Sequence, residues 1–172
     1  PLKDINSSII QSLYKIGEFV GADRAYVFDY DFDKFTATNT FEWVRQGIEP
    51  QIHNLQNISL EQYTDIVVFH KRGAVVKVDN CQDIPEGSLK KLLEEQDVIS
   101  LLTIPLIKEE TCIGFVGFDS VRSMHVYNDY EKQLLQVYAQ TLVNVIERLE
   151  KEQKLVAAKE KERREIEYPD IK

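Results

Sequence analysis

The stretch Ile99-Ser100-Leu101-Leu102-Thr103-Ile104-Pro105-Leu106-Ile107 is followed, after Lys108-Glu109-Glu110-Thr111, by Cys112-Ile113-Gly114-Phe115-Val116-Gly117-Phe118-Asp119. Each run has strand length, and the four polar residues between them suit a turn. Both runs are apolar on both parities: Leu102, Ile104 and Leu106 alternate with Ile99, Leu101 and Ile107. A strand with that pattern is covered on both faces. The expected sheet therefore carries helices on one side and loops or short helices on the other.

The segments before the hairpin supply those covers. Ile5, Ile9, Leu13, Ile16 and Val20 recur every three to four residues, so the chain opens with an amphipathic helix that ends at Gly21. Arg24 to Tyr30 alternates as a strand, with Tyr26, Phe28 and Tyr30 on one face and Ala25 and Val27 on the other. Asp31 to Lys34 turns into a second strand, Phe35 to Val44, in which Phe35, Ala37, Phe41 and Trp43 share a face. Residues 45–58 look irregular. Ser59 and Gln62 form a candidate capping box for a helix reaching His70 and closed near Gly73. A short strand is expected over Ala74–Val78, a loop over Asp79–Pro85 and a short helix over Glu86–Gln96.

After the hairpin, Asn128 and Glu131 mark the start of a long helix. Leu135, Tyr138, Leu142, Val145 and Leu149 keep a seam near 3.5-residue spacing, which fits a signalling and dimerising helix. Beyond Leu149 the seam turns polar at Glu152, Lys159 and Arg163. The pairs Glu147–Lys151, Glu150–Lys154 and Glu160–Arg164 support a solvated helix instead, and Tyr168-Pro169 ends it.

Three groups of residues carry a family resemblance. Gly21-Ala22-Asp23-Arg24-Ala25-Tyr26-Val27-Phe28 resembles the opening strand of GAF domains. Ile104-Pro105-Leu106 with Ile113–Asp119 resembles their closing hairpin. Asn128-Asp129-Tyr130-Glu131, leading into Leu134-Leu135 and Ala139, resembles the start of their last helix. The resemblance spans roughly residues 4–150, and Tyr127 departs from it where many relatives carry tryptophan. It implies an α+β fold with a GAF/PAS-like antiparallel sheet. First and last helices would lie on one face, where they can form a dimer bundle. A ligand pocket would lie on the other, enclosed by about Gly47 to Asp97. It further implies a sensor domain of a bacterial multidomain signalling protein, of histidine kinase or diguanylate cyclase type. Residues 1–150 would be the sensor and 151–172 a charged linker toward an output domain in the same chain. Alternatives are a ligand-free dimerisation module and a thiol-dependent reductase of free methionine sulfoxide.

Composition narrows the function classes. The net charge is −8 with no clustered basic face, so nucleic acid is not an expected partner. No apolar run is long enough to span a bilayer and no leader pattern opens the chain, so a cytoplasmic domain without a membrane segment is expected; a start at Pro1 reads as a cut from a longer chain. No Gly-rich phosphate loop and no metal-ligand spacing occurs. No cofactor is required by any motif, and the small ligand is unidentified.

Candidate pocket residues follow from chemistry and from the resemblance. Of the aromatics Tyr26, Phe28, Phe41, Trp43 and Tyr63, most fit core packing. Trp43 and Tyr63 are expected at the pocket, because each has a polar group that wants a partner when buried. His53 is a candidate haem ligand, whereas His70, next to Lys71 and Arg72, reads as a helix-end histidine meeting the dipole. Asp79 with Asn80 suits either a polar ligand or a self-bonded loop. Cys81 lies in a pocket-side loop but is followed by Gln82, unlike the cysteine–histidine pair of bilin-binding relatives, and Cys112 opens a strand. A catalytic thiol would need a resolving partner, and this pair does not match the reductase family's set. No catalytic residue is assigned.

Overall fold

The computed structural model describes residues 2–168. The order is α1 (Leu2–Val20), β1 (Arg24–Asp31), β2 (Thr36–Val44), β3 (Ile58–Ser59), α2 (Thr64–Lys71), β4 (Val76–Val78), α3 (Ser88–Glu95), β5 (Ser100–Lys108), β6 (Thr111–Ser120) and α4 (Asp129–Glu167). One-turn helices interrupt the loops at Ile52–Asn54, Leu60–Tyr63 and Cys81–Asp83. The six strands form one antiparallel sheet in the order β3-β2-β1-β6-β5-β4. Residues 169–172, the end of the expected linker with Pro169, lie outside the described residues.

The decisive hairpin forms as its pattern requires. In β5, Leu102, Ile104 and Leu106 point into the core under α1 and α4, and Leu101 packs on the opposite face with Leu93 and Val98. Glu109 and Glu110 both take positive φ, the conformation a tight hairpin turn demands. α1 lies over β1 and β2, and α4 lies over β5 and β6. Ile9, Leu13, Ile16 and Val20 of α1 meet Leu135, Ala139, Leu142 and Val143 of α4 in one cluster with the sheet. The start of α4 carries the expected capping box, with Asn128 and Glu131 bonding each other's backbone amides at 2.9 and 2.8 Å.

Strand β2 departs from simple alternation. The β1 partners run Val27↔Phe41 and then Phe28↔Asn39, so Thr40 is an extra residue, a bulge that bonds Val27 O at 3.3 Å. One inserted residue reverses the facing of everything beyond it. Ala37 faces the pocket side, whereas Phe41 and Trp43 face α1. Phe35 sits before the strand, exposed and with positive φ. The expected shared face of Phe35, Ala37, Phe41 and Trp43 is therefore split by the bulge. Ser59 likewise caps a one-turn helix by accepting from Glu61 N, and Gln62 does not complete a box. Glu150, expected to pair with Lys154, bonds Lys108 of β5.

His70 is also placed differently from its expected helix-end role. It is fully buried beneath the sheet, with Nδ1 bonded to Tyr30 OH at 2.6 Å and Nε2 to Thr103 Oγ1 at 2.8 Å. Desolvation lowers its pKa to about 3, so it is neutral at physiological pH and serves as a polar strut within the core.

Two outcomes are expected. A methyl at Gly17 falls within 2.6 Å of Trp43 Cε3, where α1 presses onto β2. Gly17→Ala should lower stability by about 1–3 kcal/mol, read as a lower denaturant midpoint with unchanged slope; an unchanged midpoint would show that the Trp43 ring moves aside freely. His70 has a folded pKa below its unfolded value of 6.5, so its contribution is intact above 6.5 and is lost as pH falls toward 3. That loss should reach about 3 kcal/mol near pH 4, and His70→Gln should flatten the fall in equilibrium stability between pH 6.5 and 4.

Candidate functional site

The bulge that turns Trp43 away also brings Glu42 onto the pocket face, opposite Tyr26. The pocket face of the sheet presents Tyr26 and Phe28 from β1, Asn39 and Glu42 from β2, Thr103 from β5, and Phe115 and Asp119 from β6. Gln51 and Leu55 of the 45–57 segment, Tyr63 and Ile66 around the start of α2, and Leu93 and Gln96 at the end of α3 roof it. The cavity volume is about 20 Å³, room for about one water molecule.

Arg24 organises the polar end. It is 1% exposed, with Nε 3.5 Å from Asp119 Oδ2. That separation is an ion-pair contact without hydrogen-bond geometry, which leaves Nε unbonded. Its Nη1 donates to Glu49 O at 3.3 Å and its Nη2 to Gln96 O. Asp119 accepts from Tyr26 OH at 2.6 Å. Burial raises the Asp119 carboxyl to about 6, against the opposing pull of Arg24 and the Tyr26 bond. Gly117 lies directly beneath Tyr26, whose ring leaves no room for a side chain there.

Glu42 ties down the roof. Its carboxylate accepts Gln51 N at 3.0 Å and Ile52 N at 3.2 Å, satisfying the amides that open the one-turn helix. Burial raises its pKa and those amides lower it. Asn39 N donates to Leu55 O at 2.8 Å, and Gln56 Nε2 donates to Asn39 O at 2.8 Å. The 45–57 segment is thus a lid fastened to β2 by backbone and carboxylate bonds.

Of the five expected pocket residues, the structure brings Tyr63 to the cavity. Trp43 lies on the α1 face, edge-on to Tyr14 at 5.8 Å and beneath Arg45. His53 is exposed on the outside of the lid. The Asp79 side chain is exposed beside Lys77; its carbonyl accepts Ser100 Oγ of β5 at 2.6 Å, and the following loop bonds itself, Asn80 Oδ1 accepting Gln82 N at 3.0 Å. Cys81 is buried with Val98 behind the lining residues Leu93 and Leu101 and does not itself reach the cavity. Burial pushes the Cys81 thiol up to about 11 and raises that of Cys112, the opposite of what a nucleophilic thiolate requires. Asn39, Glu42, Gln51, Gln96 and Asp119 were not singled out from sequence. The signal for Glu42 and Asn39 was hidden by the bulge, and that for Asp119 lay in a strand otherwise read as apolar.

The expected helix seam also divides. Leu135 and Leu142 are sealed in the chain's own core and are not available to a second chain. Tyr138 bonds Ser12 Oγ at 2.7 Å across to α1, and Val145 and Leu149 are half-buried. An exposed apolar groove lies beside that seam, lined by Ile16, Phe19, Tyr130, Leu134, Val137 and Tyr138. Among the described residues no helix is long and apolar enough to cross a membrane.

Comparison with known proteins agrees with this architecture. The chain is 32% identical over 161 residues to the methanogenesis regulatory histidine kinase FilI of Methanothrix harundinacea, covering 91% of this chain and 18% of FilI. The chain therefore spans less than a fifth of that relative. The fold is similar to the blue-light-absorbing form of the PixJ GAF domain of Thermosynechococcus elongatus, with TM-score 0.76, 18% identity, and 91% and 93% of the two chains covered. It is similar also to a domain assigned to a two-component sensor histidine kinase of Sinorhizobium meliloti, with TM-score 0.69, 20% identity, and 87% and 96% covered. The GAF domain family profile matches residues 5–146, and the chain belongs to the GAF domain family.

Proposed function

We propose that the chain is a non-catalytic sensor domain, residues 1–150, whose state passes through the helical linker 151–172 to an output domain of histidine kinase type. The observation that carries this reading is the pairing of a lidded cavity, lined by aromatic and polar side chains, on one sheet face with a helix on the other that runs on past the sheet to Glu167. Similarity to FilI supports a kinase output more than a cyclase. A ligand acts only through different affinities for two arrangements of the lid and sheet. Those arrangements bias how α1 and α4 meet a second copy, and the α1–α4 groove, with Phe19 and Val137 two-thirds exposed, offers the apolar surface for a homodimer. A cytoplasmic setting fits this role. The buried, high-pKa thiols argue against the reductase alternative.

A second reading, dimerisation without a ligand, is favoured by the cavity's size, which suits a water more than a metabolite. Native mass spectrometry of the purified chain, beside its denatured mass, separates the two. Sensor function predicts a small non-covalent mass on the dimer, and Val137→Glu should convert dimer to monomer while leaving that mass in place. A dimer that stays bare, even in extracts of its source cells, supports the second reading and overturns the first. A monomer at all concentrations overturns both.

A further inference from the structure

Asn39 is 2% exposed, and neither Oδ1 nor Nδ2 of its side chain has a hydrogen-bond partner among the described residues. Its backbone already makes both bonds to the lid, so the side chain is not needed to fasten it. A buried amide left in this state costs the desolvation of a donor and an acceptor together. Such a group calls for something that completes it.

What surrounds it defines the missing partner. The amide lines the cavity together with Glu42 and Asp119, while Tyr26, Phe28 and Phe115 supply aromatic walls. Arg24 offsets one of the two carboxylates, and its own nitrogens turn toward Asp119, Gln96 O and Glu49 O. One negative charge is in excess, in a region shielded from water, where charge acts strongly. An anion is disfavoured there, and a group rich in N–H donors is favoured. A carboxamide presents a donor beside an acceptor, the pattern that pairs bidentately with another amide or amidine edge, as asparagine does with adenine.

We infer that this cavity takes a compact, planar, neutral or singly cationic molecule with an amide-type edge, of lactam, urea or nucleobase kind. Asn39 holds the edge through both side-chain atoms, and a further N–H turns toward Glu42 and Asp119. The enclosed space admits a water, so a ring enters as the lid over 45–57 moves off β2. The inference rests on the sensor reading for its site but concerns the ligand's chemistry alone. Its rival is a single buried water that satisfies Asn39 for structural reasons.

The melting temperature of the full 172-residue chain tests this with cytosine, uracil and nicotinamide as separate probes, and acetate and inorganic phosphate as anionic controls. At least one neutral probe should raise it by about 3 °C at roughly ten times its Kd, and the anions should not. Asn39→Leu should melt at or above wild type, because it removes unpaired polar groups, and should lose the response. Four results would overturn the inference: silence with all three probes, an equal response to the anions, a response retained in N39L, or an N39L variant melting well below wild type. The last would assign Asn39 to a structural water. A co-purified ligand bearing an acidic group would sink the amide-edge chemistry while leaving the sensor reading intact.

Discussion

Arg24 carries a charge withdrawn from water, at 1% exposure, and the pocket side of the molecule is arranged around it. A buried cation is tolerated where its donors are met. Here they reach three elements distant in sequence: Asp119 of β6, the carbonyl of Gln96 at the end of α3, and the carbonyl of Glu49 in the lid. One side chain therefore joins β1 and β6 to two parts of the roof, the 45–57 segment and the end of α3. Asp119 in turn holds Tyr26, which covers Gly117. The unbonded Nε and the long ion-pair contact show that this network is not saturated, and the same is true of Asn39 across the cavity.

The two faces of the sheet obey different rules. Beneath α1 and α4 the core is mainly aliphatic and close-packed, and a single added methyl at Gly17 meets the Trp43 ring. On the pocket face the packing is aromatic, with Phe28 and Phe115 stacked at 4.7 Å and Tyr63, Tyr30 and His70 around them. Into this aromatic layer the fold sets polar groups whose bonds run to backbone, to each other or to nothing. The first face is saturated by packing, and the second keeps buried polar atoms without partners.

Most of the architecture was legible because it rests on period and on end signals. The doubly apolar hairpin, the 3–4 spacing of α1, and Asn128 with Glu131 each state their structure locally. The site was less legible, for physical reasons tied to single residues. Thr40 bulges without any glycine or proline to announce it, so simple alternation puts Trp43 on one face with Ala37, from which the bulge separates it. Arg24 and Asp119 sit in strands whose pattern says core, and only the tertiary pairing of β1 with β6 shows that they meet. The seam on α4 was visible as a period, but a period does not say whether the covering surface is the chain's own sheet or another molecule. For Leu135 and Leu142 it is the sheet.

The helix α4 has mechanical properties that follow from its composition. It runs 39 residues without a glycine or a proline, and its residues from Lys151 onward are exposed. The part beyond Leu149 extends about 27 Å at 1.5 Å per residue. Lys108 of β5 pairs with Glu150 near the point where the helix leaves the sheet. A tilt of about 5° there would swing the far end by roughly 2 Å over a lever of that length, and a rotation about the helix axis would arrive undiminished, since no flexible joint intervenes. A displacement too small to disturb the sheet would thereby be enlarged at the far end of the helix to a size comparable with a side-chain contact.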